Sequence, residues 1–389
     1  MLTNGDGIGV TDFKYKLKQL APEQLIKNGY LRQGETKTAL SLLALAEENI
    51  VFLGYPDRCS AYLWRENWDR PFTSHFTQCN ATPYTNSFRA GALYTGKDLT
   101  RDVTELIRRF QPTHIVYPHF YDRHVDHFAA HNFIKYAVAA SGVFVKELTY
   151  LMHRGHWPAP SGKFPFLRLI PPQALGYCGG KWYSLRLSPR DIKRKRMCLR
   201  QYKSQNLIMR MYLLSFLRRN ELFAQYDDLR VAPSAIRRNG RLHVYIANPY
   251  ADTLKAYLNK AADISELRLV ISRRSLVCVL KTTRRPRYKY RYLFDLVFFK
   301  ADGLVSRLLL CIENKALTIK KIIDEAAWPF QASWSMDEKH VTISLTNIDL
   351  LMLRAILVNA VTFKGSASID RTGSRLIRFV ERQRGSKAN

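Results

Sequence analysis

The stretch Ile115-Val116-Tyr117-Pro118-His119-Phe120-Tyr121-Asp122-Arg123-His124-Val125-Asp126-His127 sets the fold. Ile115–Pro118 is a short apolar run of strand type. Val125–Ala140 then recurs with helical period. Three histidines and two aspartates lie within this stretch, and His131 follows. Working outward, Leu99–Phe110 is an amphipathic helix before the strand, and Val143–Met152 is a strand after the second helix. Further upstream, Lys37–Glu48 has helical spacing through Leu40, Leu42, Leu43 and Leu45. Ile50–Gly54 is a short apolar strand running into Tyr55-Pro56-Asp57, and a long aromatic loop extends from Tyr55 to Gly96. Strands that alternate with helices predict an α/β unit with a parallel sheet covered on both faces. Sites in such sheets form at the carboxyl ends of strands. Asp57, His119–His127 and His153–His156 all follow strand ends.

The bulk properties agree with a globular protein. The chain has 389 residues, 47% of them apolar and 24% charged, which suits two or three domains of about 150 residues. That composition excludes wholesale disorder, collagen-like sequence and a small disulfide scaffold. No run of about 18 apolar residues is present to span a membrane. The first twenty residues lack the pattern of a secretory leader. The compartment stays open between cytoplasmic and membrane-peripheral. Cys59, Cys79, Cys178, Cys198, Cys278 and Cys311 show no paired spacing and read as ordinary thiols of a reducing compartment.

Charge is the outlier, at a formal +29. Residues 1–150 hold 17 basic and 15 acidic side chains, whereas the remainder holds 44 and 17. Eight of the ten histidines lie between His75 and His156. Histidine and base are thus segregated, which suggests chemistry in the first half and a basic surface in the second. Ser188-Pro189-Arg190-Asp191 is a strong helix start, opening a basic helix that could run to about Arg219. It serves either as a solvated face or as an attraction to an anionic surface.

Beyond residue 230 the chain changes to short alternating strands: Leu242–Ile246, Leu267–Ser272, Leu276–Thr282, Tyr290–Phe299, Val305–Ile312, Leu317–Ile322 and His340–Leu345. Asn239-Gly240 and Asp302-Gly303 mark turns. This is the rhythm of a β-sandwich. Ala262-Asp263-Ile264-Ser265, Trp334-Ser335-Met336-Asp337 and Asp370-Arg371-Thr372 loosely resemble β-sandwich modules of the carbohydrate-binding kind. The expected domains are 1–228, 229–383 and a tail, 384–389. A basic strand pair between Arg273 and Arg291, with interleaved tyrosines, fits a solvated face, a polysaccharide or envelope surface, or least well a nucleic acid.

The His/Asp cluster admits two readings. Imidazoles next to carboxylates at a strand end suit a metal or acid–base site. They also suit a helix start with Asp126 answering the helix dipole. Gly5-Asp6-Gly7-Ile8-Gly9 lacks the final glycine of a nucleotide fingerprint and reads as a loop near the site. Aromatic residues of the 55–96 loop either stack on sugar rings or pack on themselves as a lid.

Four short motifs in order carry a resemblance: Leu2-Thr3-Asn4-Gly5-Asp6-Gly7, Gly29-Tyr30-Leu31-Arg32-Gln33-Gly34-Glu35, Phe52-Leu53-Gly54-Tyr55-Pro56-Asp57-Arg58 and His124-Val125-Asp126-His127. Together they resemble the PIG-L (LmbE-like) family of zinc-dependent N-acetylglucosaminyl deacetylases. Tyr202-Lys203-Ser204-Gln205 is similar to the late helix motif of that family, so the likeness covers about residues 1–225. It implies a Rossmann-like, mostly parallel sheet and hydrolysis of an N-acetylated amino sugar conjugate. It also implies that His127 is a zinc ligand, that His124 steadies the oxyanion or protonates the leaving amine, and that Asp126 orients His124. Asp6, Asp57, Arg58, His153 and Arg154 are expected at the substrate. The departure is the family's His-Pro-Asp-Asp segment, which supplies two zinc ligands and the general base and is not found in this sequence. The expectation is therefore an N-terminally truncated sheet, a zinc not held by this chain alone, and no deacetylation by this form. The alternative is a non-catalytic basic protein that binds glycan or an anionic surface.

Overall fold

The computed structural model describes residues 1–7, 20–176, 178–237, 240–249, 253–324 and 329–380. Ile8-Gly9 of the glycine-rich loop, Asn239 of one turn and the tail from Arg384 lie outside the described residues. Two compact units form. The first is Met1–Pro172 with Lys181–Gln225, and the second is Gln173–Gly180 with the chain from Tyr226 onward.

The first unit is α/β. Its helices are α1 (Pro22–Ser41), α2 (Ser60–Arg65), α3 (Gly96–Phe110), α4 (Val125–Ser141), α5 (Pro189–Gln201) and α6 (Lys203–Ser215). Its strands are β1 (His114–Pro118), β2 (Lys146–Tyr150), β3 (Lys181–Arg186) and β4 (Asn220–Gln225), in the order β1-β2-β4-β3. β1 and β2 are parallel, as the βαβ pattern requires, and α4 is their crossover. β4 runs antiparallel to β2 and to β3. The parallel expectation therefore holds only for part of this sheet. Residues 51–55 pair along Met1–Thr3 through Leu53 N–H to the Met1 carbonyl, Tyr55 N–H to the Leu2 carbonyl and a parallel bridge of Thr3 with Tyr55.

The helices follow local rules. Thr95 caps α3 by accepting from Asp98 N–H, and Leu99, Val103 and Ile107 form its buried stripe. Gly142 ends α4 in the left-handed region, where glycine meets no Cβ penalty. α5 starts at the Ser188-Pro189 signal, and Ser188 and Asp191 make a reciprocal capping box there. One helix to about Arg219 is not formed. Tyr202 leaves the helical region and starts a separate helix, α6. Similarly, α1 stops at Ser41 rather than spanning 37–48, because Ala44 adopts positive φ and Leu43 and Leu45 face solvent.

The second unit is β-rich. Small helices α7 (Pro233–Arg237) and α8 (Leu254–Leu258) accompany β5 (Leu229–Val231), β6 (Leu242–Ala247), β7 (Ile264–Ile271), β8 (Ser275–Thr282), β9 (Arg291–Lys300), β10 (Val305–Glu313), β11 (Ala316–Asp324), β12 (Gln331–Met336), β13 (His340–Thr346), β14 (Leu353–Lys364), β15 (Ala367–Arg371) and β16 (Arg375–Phe379). One sheet runs β11-β10-β9-β14-β16-β5 with β15 on β14, and the other runs β12-β13-β8-β7-β6. Pairing is antiparallel except for β16 with β5. Period-2 alternation puts Leu267, Leu269 and Cys278 from one sheet and Phe294, Leu296 and Ile356 from the other into a single apolar cluster. In this unit Asp295 and Arg307 form a fully buried bidentate pair at 2.8 and 2.9 Å.

Candidate active site

The site forms where β1 and β2 end. The loop 119–124 leaves β1, and α4 begins at His124. Asp122, fully buried, organises that loop. Its carboxylate accepts from His124 N–H at 3.0 Å, Met152 N–H at 2.9 Å and His153 N–H at 3.0 Å. It also lies 3.0 Å from His127 Nδ1. One carboxylate thus ties the end of β1, the start of α4 and the end of β2 together. Burial alone would raise this carboxyl, but His127 and the amides of His124 and His153 outweigh it and hold it below its ordinary range.

Three imidazoles meet above Asp122. Ring centroids of His124 and His127 are 5.1 Å apart, and His153 is 5.0 Å from each. Hydrogen bonds assign the tautomers of His124 and His153. His124 Nδ1 accepts from Asp126 N–H at 3.3 Å, capping α4, so in the neutral ring Nε2 carries the proton. His127 Nδ1 stands 3.0 Å from the Asp122 carboxylate, a close charge contact. Tyr212 donates its hydroxyl to the Met152 carbonyl at 2.9 Å, so its oxygen accepts from His153 Nδ1 at 3.2 Å. His153 therefore presents an unprotonated Nε2. Burial, followed by the repulsion of His124 and His127, pushes His153 down to about 4, against the pull of Asp122. Burial and then His127 likewise lower His124. At neutral pH His124 and His153 are uncharged, an Nε2–H donor beside an Nε2 lone pair.

The acidic residues are deployed around this cluster. Asp126 accepts from Arg58 N–H at 2.6 Å and Ser60 N–H at 3.1 Å, securing the start of α2. It stands 3.8 Å from His124 Nδ1, near enough for charge but beyond a hydrogen bond. Burial and the neighbouring Asp57 push Asp126 up to about 7. Asp57 accepts from Gly7 N–H at 3.1 Å and acts electrostatically on His124. Asp6 is fully buried. It accepts from Tyr84 Oη at 2.6 Å and from Asp57 N–H at 3.3 Å, and burial raises it to about 6. Arg58 is exposed beside this group, with its backbone in the left-handed region.

Arg154 is placed differently. It is buried, donates to the Tyr121 carbonyl at 3.3 Å and lies over the Tyr121 ring. Its role here is to brace the 119–124 loop. His119 and His131 are also buried. His119 Nδ1 accepts from Tyr121 N–H at 3.0 Å, and the ring stacks on Trp182. His131 Nδ1 lies 3.0 Å from the Pro118 carbonyl. These two histidines are part of the packing under the site.

The remaining motifs hold the site from behind. Glu35 of α1 accepts from Ser204 N–H and Oγ, both at 2.7 Å, at the first turn of α6. The Gln205 carbonyl accepts from Arg32 Nη2 at 2.7 Å, and Arg32 also donates to the Gly5 carbonyl. Gly29 lets Tyr84 pass close to α1, because a Cβ there would overlap the phenol. Trp64, Trp68 and Tyr94 of the aromatic loop are buried, and the two tryptophans pack on Phe133 of α4. The tryptophans thus anchor the loop on α4, while Tyr62 stacks on Phe72 within it and stays 41% exposed.

The metal requirement can be tested against these donors. A catalytic zinc takes three protein ligands. His127 and His153 stand together, but among the described residues no group of three His, Cys, Asp or Glu is arranged to hold a metal ion. The described residues do not complete such a set.

A strand-end cluster of imidazoles and buried carboxylates on an α/β unit marks a candidate functional site. Residues 2–138 match the family model described as PIG-L, GlcNAc-PI de-N-acetylase. Over this segment, about a third of the chain, the protein is similar to a family of de-N-acetylases of GlcNAc-type conjugates that are generally zinc-dependent. No curated protein matches the chain.

Proposed function

We propose that the first unit binds an N-acetylated amino sugar conjugate in a de-N-acetylase site, and that this polypeptide does not turn it over by itself. The single observation behind this is the His124–His127–His153 triangle with its split of proton and lone pair. His124 Nε2–H is the donor for the acetamide carbonyl or for the departing amine. Asp122 fixes the orientation of His127 and, through backbone amides, the approach of His153. Asp57 supplies an acceptor for a sugar hydroxyl, and Asp6 positions Asp57 from behind through the Asp57 N–H. Activation of water would need a zinc that, in this reading, the chain does not hold alone. The test is calorimetric titration with N-acetylglucosaminyl-inositol, followed by an acetate assay. Saturable binding, weakened about tenfold in His124→Ala as for loss of one hydrogen bond, supports the reading. No binding to any N-acetylglucosaminyl conjugate overturns it.

A second reading rests on a separate observation. No residue of α5 is buried, and it carries Arg190, Lys193, Arg194, Lys195, Arg196 and Arg200. On α6, Leu207 and Met211 are 71% and 63% exposed. Basic and apolar side chains together suit an anionic surface. Among the described residues no helix is long and apolar enough to cross a membrane. Vesicle co-sedimentation that needs anionic lipid, lost in Leu207→Ser/Met211→Ser, tests it.

A further inference from the structure

The five-stranded sheet of the second unit turns one face to the core and the other outward. The register defines the outward rows. Tyr245, Arg268, Val279, Thr342 and Ser335 lie side by side across five strands. The next row is His243, Val270, Val277, Ser344 and Ser333. Small side chains occupy the middle of these rows, and long ones stand at the margin. The result is a dish of about 460 Å³, floored by Val270, Val277, Val279 and Thr342 and walled by Arg241, His243, Arg268 and His340. That size falls within the range of small-molecule sites, roughly 300–1,000 Å³.

Its charge is unbalanced. Asp337 is the one carboxylate in the lining, and it is engaged: it accepts from Lys339 N–H and His340 N–H, each at 2.8 Å, and faces His340 Nδ1 at 3.1 Å. Glu266, on the adjoining row, stands opposite Lys281. Arg241 and Arg268 have no counter-charge left in the dish. Arg268 Nε is shut off from solvent and makes no hydrogen bond. A buried guanidinium N–H left unpaired is costly, and a planar fork of this kind fits a carboxylate. Ser272, Ser275 and Thr342 add hydroxyls. Tyr245, 56% exposed, lies nearly parallel to the His243 ring at 6.4 Å and offers a flat rim.

We infer that this dish is a binding site for a carboxylate-bearing saccharide, with the acid group on Arg268 and a sugar face against the valine floor. It is separate from the first unit's chemistry and does not depend on it. The test uses the full chain and three probes: a glucuronate-containing disaccharide, its neutral methyl ester and inorganic phosphate. Calorimetric titration is expected to give saturable binding of the disaccharide. Arg268→Gln should weaken it at least tenfold, the ester should bind at least tenfold more weakly, and Arg273→Gln, the same charge change outside the dish, should leave it unaltered. Arg268→Gln should melt no lower than the parent, since it removes an unpaired cation. Absence of disaccharide binding overturns the inference, as does an equal loss in Arg273→Gln. Phosphate that binds as tightly as the disaccharide overturns the saccharide assignment.

Discussion

Asp122 is the residue on which the site turns. Its carboxylate serves three backbone amides and one imidazole from inside the fold. Asp122→Ala should therefore cost about 3 kcal/mol or more in chemical denaturation, the range for a buried, hydrogen-bonded charge whose partners are stranded. Its position was visible in the sequence, two residues before His124 at a strand end, but nothing there announced it as the hub. His124, His127 and His153 were legible, because few structural needs explain so many imidazoles at strand ends. The tautomer of His153 was not, since it depends on Tyr212 meeting it from a different element. Asp6 supplies a pH test. Its folded value, about 6, lies above the ordinary 3.8. A raised carboxyl stabilises the fold fully below the unfolded value and loses that contribution as pH rises through the folded one. The parent should thus lose stability between about pH 4 and 6 relative to Asp6→Asn, read as the difference in their thermal midpoints across that window. A difference that is flat with pH would contradict the assignment.

At the scale of elements, apolar periodicity located what it was suited to find. β1, α3 and α4 lie close to their expected bounds because their stripes are hydrophobic. Helix α1 was misplaced because its buried face is largely polar: Asn28, Arg32, Gln33, Glu35 and Thr36. Ion pairs and hydrogen bonds hold it, and these carry no hydropathy signal. The same contacts explain the break at Tyr202. Glu35 supplies the cap that a new helix needs at Ser204. Glu35→Ala should cost about 2 kcal/mol, the cost of leaving buried donors unpaired, whereas Glu35→Gln should retain part of it. Gly29→Ala should act at the opposite side of α1 by forcing Tyr84 off Asp6, and its effect should shrink in a Tyr84→Phe background. Loss of additivity in that double-mutant cycle is the measurement.

The whole molecule comprises an α/β unit, near-neutral up to about residue 150 and basic beyond it, and a β-rich unit. The change in composition near residue 150 reported a change of surface charge, and the change of strand rhythm near residue 230 reported a change of architecture. β12, β14, β15 and β16 were not anticipated. In β14, eleven of twelve positions are buried or half-buried, so the alternation that marks a one-sided strand is missing. Two cores predict two unfolding transitions rather than one. Asp295→Ala breaks the buried pair with Arg307 and should lower only the transition of the second unit, by about 3–5 kcal/mol. Calorimetry that shows both transitions moving together would contradict independent cores.

The central claim is that the histidine triangle recognises an N-acetylated amino sugar without a complete hydrolytic metal set. The most direct measurement is ¹³C NMR of N-acetylglucosaminyl-inositol, labelled in the acetyl group, mixed with the full chain and added zinc. The account predicts a bound acetyl signal that weakens in His124→Ala and no free acetate. Steady growth of free acetate that requires zinc and disappears in His127→Ala would contradict it.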